Sequence, residues 1–278
     1  MSERRGLWAD YALEITGKGI GEIETARPVI APGTPVNIAF LGNETHAQRI
    51  EAARILRRSG FEPVPIISAR RLTSEDDVDT LIGGLKATAS PQRFLFVGGD
   101  PATAAGPYSD AMTLLESGVL QRHGIARAGI VGYPEGHPKI SDAALWQALL
   151  AKLAFLRDSG CETEITTQYG FDADAILGWI ARLRDAGIHV PVRIGIPGPA
   201  RAATLIRFAR QFGVALSPEP LGDPDAVVTA DRFAARLLEG LERRALGNVF
   251  FHLYPFGGIA AAIEWLNRVV APNHSAID

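Results

Sequence analysis

Two kinds of apolar spacing take turns along the chain. Short runs rich in β-branched and aromatic residues are separated by longer stretches where apolar residues return every three or four positions. The first pattern predicts buried strands and the second amphipathic helices. Strands are expected at 11–15, 36–40, 62–67, 93–97, 128–132, 164–168, 190–196 and 249–254. In "FDADAILGWIARLRDAG", Ile176, Ile180 and Leu183 share one face, Asp172 caps the start and Gly187 stops the helix. In "ETHAQRIEAARILRRSG", Ile50, Ala53 and Leu56 recur at helical spacing, with Gly60 at the end. Further helices are predicted near 74–88, 107–120, 141–158, 200–211, 224–246 and 257–268. Eight strands read with eight helices imply parallel pairing through helical crossovers. In a chain of 278 residues, that count predicts a single closed (β/α)8 TIM barrel spanning 1–278, with an open doubly wound sheet as the alternative. The Pro/Gly-rich break "SPEPLGDPD" at 217–225 reads as a loop on the active face.

Composition narrows the class. Hydrophobic residues make up 47% and charged residues 21%, and the net charge is -3. Those fractions support a large core, and no field draws the chain to nucleic acid or an anionic membrane. Cys161 is the one cysteine, which excludes an intrachain disulfide and a cysteine-based zinc site. The stretch "MSERRGLWADYALEI" has no apolar signal core, and no run approaches the length of a membrane span. The expectation is a cytoplasmic protein, with a homo-oligomer allowed.

In such a barrel, chemistry gathers at the C-terminal tips of the strands. Glu14, in "YALEITGK", suits a general acid, or equally a barrel-end ion pair. Asp100 ends "FLFVGGD" and can accept two hydrogen bonds from a ring bearing N–H groups; an Asp-Pro turn is the simpler alternative. Gly98 and Gly99 admit close backbone approach to a flat ligand. In "GYPEGHPKIS", Tyr133 can stack on a ring, and Lys139 beside the helix start at Ser141 can hold a phosphate. The same string also reads as a rigid connector. His137 has no second ligand nearby, so a metal is not expected. Gln168 both donates and accepts, which suits a heterocycle as well as a core-edge amide. His252 and Tyr254 alternate on one strand and share a face, where a structural role is the simpler reading. No dinucleotide fingerprint, P-loop or nucleophile elbow stands where it would matter.

Together, "LEITGK", "VGGDP", "GYPEGHP", "ITTQYGFDADA", "AGIHVPVRIGI" and "FHLYPF" follow one another as in the methylenetetrahydrofolate reductase family, which the chain resembles from Glu14 to about Tyr254. The resemblance implies a barrel that binds FAD and passes hydride from NAD(P)H to 5,10-methylenetetrahydrofolate, giving 5-methyltetrahydrofolate, or runs in reverse. It implies Glu14 as the acid that helps open the folate's imidazolidine ring, Asp100 on the pterin near the flavin, and Gln168 on the substrate. Tyr108, Tyr133 and His137 would line the FAD site with the backbone of Gly98 and Gly99. The chain departs from the family at Ala39, Ile66, Gly98 and Gly258, and at Phe155 and Leu156, where basic and polar positions meet the FAD phosphates. Lys139 and Lys152 are the nearby cations. Two alternatives stay open: a flavin-free reductase taking hydride directly from NADH, and a non-catalytic folate- or flavin-binding protein.

Overall fold

The computed structural model describes residues 10–214 and 223–270. Eight strands form a closed barrel: β1 (Ala12–Thr16), β2 (Pro35–Ala39), β3 (Glu62–Ser68), β4 (Phe94–Val97), β5 (Arg127–Gly132), β6 (Glu162–Tyr169), β7 (Val192–Pro197) and β8 (Val249–Tyr254). Every barrel pairing is parallel, and β1 pairs with both β2 and β8, so no strand edge is left open. The (β/α)8 architecture expected from the apolar spacing is the one observed.

The helices depart from simple alternation at two crossovers. Between β1 and β2, where no helix was expected, the chain winds a 3-10 turn (Gly17–Ile20), a short helix (Gly21–Ala26) and a second 3-10 turn (Arg27–Val29). Three glycines and Pro28 punctuate this stretch and hide the helical period. The first turn is capped by Thr16 Oγ1, which accepts from Gly19 N at 3.0 Å. Between β7 and β8 lie two helices, Ala202–Phe212 and Asp231–Arg244, joined through a two-stranded antiparallel ribbon of Ala200–Arg201 with Val227–Val228. Residues 217–222 of the Pro/Gly-rich loop lie outside the described residues. The helix expected near 107–120 is broken into Ala111–Glu116 and Val119–Arg122 by Gly118, whose φ is 83°.

Local sequence explains the other helices. Thr45 Oγ1 accepts from Gln48 N at 3.2 Å while Gln48 Oε1 accepts from Thr45 N at 2.9 Å, a reciprocal cap on His46–Arg58. Asp172 Oδ1 accepts from Asp174 N and Ala175 N, both at 3.0 Å, and starts Ala173–Asp185 as its position predicts. The main core lies between strands and helices. A smaller apolar layer of Val64, Ile66 and Leu95 packs with Ala39, Val97 and Val131. Below it, at the N-terminal ends of the strands, Glu164 pairs with Arg93 and Arg193, and Arg193 Nη1 donates to Asp10 O at 2.7 Å. No helix among the described residues is long and apolar enough to cross a membrane.

One irregularity shapes the site. The β6–β7 register shifts between Thr166 and Tyr169. Thr167 Oγ1 accepts from Gly195 N at 2.8 Å within this bulge. Bulges of this kind re-aim side chains. A Cβ at Gly195 would lie 2.6 Å from Tyr169 N and 2.7 Å from Gln168 O, so only bare backbone fits. Gly195→Ala is expected to cost about 1–3 kcal/mol of unfolding free energy, read as a lower urea midpoint. An unchanged midpoint would show that the bulge tolerates the methyl.

Candidate active site

Two adjacent strands, β1 and β8, bring acid, imidazole and phenol together in the barrel. Glu14, on β1, is partly exposed at 21%, whereas the His252 side chain on β8 is wholly buried. His252 Nε2 lies 3.3 Å from Glu14 Oε2. The His252 and Tyr254 rings meet edge to face at 4.8 Å. Tyr254 donates its hydroxyl to Thr167 O at 3.3 Å. Burial holds the Tyr254 phenol well above its ordinary pKa, and Glu14, Tyr133 and Tyr169 push the same way. Burial also raises Tyr133 and Tyr169. The mouth is therefore furnished with neutral phenols beside one carboxyl group. The alternation of His252 and Tyr254 on the last strand was visible in the sequence; their contact with Glu14 needed barrel closure.

A narrow cleft with room for about 20 Å³ opens beside this cluster, and Tyr133, His137, Gln168 and Tyr169 are among its walls. Gln168 Oε1 accepts from Tyr169 N at 3.1 Å, so one side of its amide is engaged by the bulge. His137 Nδ1 accepts from Lys139 N at 3.2 Å, which leaves the ring proton on Nε2. Burial, followed by the nearby Lys139, lowers the His137 pKa and favours this neutral ring. Glu135 Oε1 accepts from Phe171 N at 2.7 Å and Asp172 N at 2.8 Å, tying the β5 loop to the start of the next helix. Burial raises its pKa against those two bonds. Aromatic rings continue the wall: Tyr169 sits 5.2 Å from Tyr254 and 4.9 Å from Phe256, and Phe256 stacks on Phe208 at 4.6 Å.

Asp100 stands on another sector. It is exposed at 62% and pairs with Arg71 Nη2 at 2.5 Å. No hydrogen bond joins it to Glu14 or Gln168 among the described residues. Behind Arg71, Arg49 is fully buried, with its guanidinium 3.7 Å from the Phe40 ring centroid. Burial brings the Arg49 pKa down to about 9, opposed by Glu44. Gly99 adopts φ 96°, and a Cβ there would strike Ser68 Oγ at 2.0 Å. A Cβ at Gly98 would meet nothing nearer than Asp110 Cα at 4.0 Å, so bare backbone fronts open space. Tyr108 is buried in the main core, and Lys139 is exposed on the β5 loop. No group of three or more His, Cys, Asp and Glu gathers for a metal among the described residues.

Two polar atoms of this cluster, the Tyr169 hydroxyl and His252 Nδ1, are buried without a hydrogen-bond partner among the described residues. Unpaired buried groups of this kind are uncommon and costly. Tyr169 lines the cleft, so a donor or acceptor on the edge of a bound heterocycle would satisfy its hydroxyl.

No family model matches the chain. The sequence is 33% identical over 86 residues to methylenetetrahydrofolate reductase 1 of Schizosaccharomyces pombe, covering 31% of this chain and 14% of that protein. It is 31% identical over 112 residues to methylenetetrahydrofolate reductase 2 of Saccharomyces cerevisiae, covering 36% and 17%. It is 28% identical over 165 residues to methylenetetrahydrofolate reductase (NADH) 1 of Arabidopsis thaliana, covering 53% and 27%. The matched stretches thus span well under a third of each relative. Among solved structures, a GH18 chitinase from Pseudoalteromonas aurantia aligns with TM-score 0.56 at 10% identity, over 93% of this chain and 99% of that one. Dihydropteroate synthase from Thermus thermophilus aligns with TM-score 0.50 at 11% identity, over 93% and 92%. Both likenesses speak for the barrel alone. Three sequence matches and the motif order from Glu14 to Tyr254 make the chain similar to the methylenetetrahydrofolate reductase family.

Proposed function

We propose that this protein is an oxidoreductase of reduced folates that interconverts 5,10-methylenetetrahydrofolate and 5-methyltetrahydrofolate with NAD(P)H and FAD. The observation that carries this reading is the contact of Glu14 with buried His252, 3.3 Å apart beside an aromatic mouth. In the reducing direction the methylene carbon gains a hydride and one folate nitrogen gains a proton. When bound, FAD supplies the redox chemistry that relays hydride from nicotinamide to folate. The chain supplies the proton, the orientation and the exclusion of water. Glu14 is the proton donor, and His252 Nε2 fixes its carboxyl group. Gln168 offers its free amide edge to the pterin, and Tyr169, Tyr254 and Phe256 wall off water. Tyr133, His137 and the backbone of Gly98 and Gly99 would border the flavin, with Lys139 at its phosphates. Asp100 would reach the pterin from the opposite rim, steered by Arg71.

The test is the visible spectrum of the purified protein, followed by anaerobic addition of NADH and then of the folate. A yellow protein that bleaches with NADH and recovers with 5,10-methylenetetrahydrofolate is the expected result. Failure to oxidise NADH in the presence of folate would remove the reading. One observation favours direct transfer from NADH as a second reading. Leu156 is wholly buried and Phe155 is a partly buried apolar side chain packed on the core, so neither offers a polar group to FAD phosphates. A colourless protein that binds no added FAD yet turns over would select that alternative.

A further inference from the structure

The strings "GYPEGHPKIS" and "ITTQYGFDADA" meet at one carboxylate that the proposed reaction does not use. Glu135 Oε1 accepts from Phe171 N at 2.7 Å and from Asp172 N at 2.8 Å. The donors lie just beyond the end of β6, which carries Gln168 and Tyr169. Glu135 itself stands between Tyr133 and His137 on the loop after β5. Both segments line the inner cleft, which has room for only about 20 Å³. The two bonds of Glu135 therefore tie one part of the cleft wall to another. A flat ring can enter only as far as this tie lets the segments part.

Gly170 shows how closely the two segments are fitted. Its φ is not positive, so no backbone demand selects glycine there. A Cβ on Gly170 would overlap Glu135 Oε1 and lie 2.7 Å from Glu135 Cδ, with Glu135 Oε2 next at 3.3 Å. The carboxylate thus occupies the space that a side chain at 170 would fill. This seat is poorly suited to stability alone. Among the described residues no cation pairs with Glu135, and burial raises its pKa against the two backbone donors, with Asp172 adding to the rise. A desolvated carboxylate without a counter-charge is costly. An apolar contact would join the two segments without that cost. What the carboxylate adds is geometry, because two charge-assisted bonds fix one spacing and one orientation.

We propose that Glu135 is a positioning residue for the bound ring: seated on the bare Cα of Gly170, it holds Gln168 at a set distance from Tyr133 and His137. It acts through Gln168 and Tyr169, not on the reacting atoms. The proposal rests on the folate reading for the identity of the ring.

The intact protein and four variants are compared by NADH oxidation with 5,10-methylenetetrahydrofolate and by urea denaturation. Glu135→Ala and Gly170→Ala are each expected to raise the KM for the folate at least fivefold, and to raise it by more than they lower kcat. The two defects share one contact. The double variant Glu135→Ala/Gly170→Ala is therefore expected to match Glu135→Ala, not to multiply the two losses. Glu135→Gln keeps an acceptor oxygen and is expected to restore most of the wild-type KM. A merely structural tie would lower the urea midpoint and leave the KM of the folded molecules unchanged, and that result would overturn the proposal. Multiplied KM losses in the double variant would overturn it as well, because Gly170 would then act without Glu135. In either case wild-type turnover leaves the folate reading standing. A wild-type protein that does not oxidise NADH with the folate would remove the reading and the proposal together.

Discussion

Glu14→Gln is expected to lower folate-dependent NADH oxidation by about 10²–10⁴-fold, the usual contribution of a positioned general acid. The substitution keeps the size of the side chain and an oxygen that can face His252 Nε2, which lies 3.3 Å from the carboxylate. It removes the carboxyl group at the junction of β1 and β8. Folding and dinucleotide binding should therefore persist, and the loss should fall on kcat in single-turnover measurements. His252→Gln makes the complementary case. His252 touches Glu14 rather than open cleft, so it is a positioning residue. Its replacement should shift the pH profile of kcat as well as lower it, which a purely structural defect would not do. Unchanged turnover in Glu14→Gln would take Glu14 out of the chemistry.

The barrel was legible because its strands announce themselves. Buried parallel strands are short apolar runs, and all eight were located to within a few residues. The first crossover was hidden because Gly17, Gly19, Gly21 and Pro28 divide it into single turns. The surroundings of the candidate site residues were legible in proportion to how local their signal is. Gln168 stands one residue from the end of β6, whereas Glu14, expected at the end of its strand, is the middle residue of β1. Asp100 also stands at a tip, yet its partner is Arg71, a contact between the ends of β3 and β4 that no spacing within one string reveals. Tyr108, placed at the FAD site by the family resemblance alone, is buried in the core by tertiary packing. The role of Glu135 was invisible for a similar reason, since the donors to its carboxylate, Phe171 N and Asp172 N, lie 36 and 37 residues away.

Glu164→Ala is expected to cost about 3–5 kcal/mol of unfolding free energy, the usual penalty for stripping one partner from a buried ion pair. Glu164 is 12% exposed and is shared by Arg193, 5% exposed, and Arg93, 18% exposed. Without the carboxylate, Arg93 loses this partner and Arg193 keeps only its polar contacts to Asp10, with little water to screen either guanidinium. Desolvation makes such an unpaired charge far more costly than the intact cluster is favourable. Replacing Glu164 and Arg193 together by leucine and methionine should therefore recover much of the loss, and a urea denaturation series on the three proteins would show it. Failure of the double variant to exceed Glu164→Ala would mean that shape, rather than charge, governs this layer. The cluster lies at the N-terminal ends of the strands, whereas Gln168 and Tyr254 lie at the opposite mouth. In barrels of this type the two ends divide stability from chemistry. Turnover per folded molecule should thus be unchanged in Glu164→Ala, even as the folded fraction falls. A loss of kcat beyond the unfolded fraction would show that the basal layer also sets the geometry of the mouth.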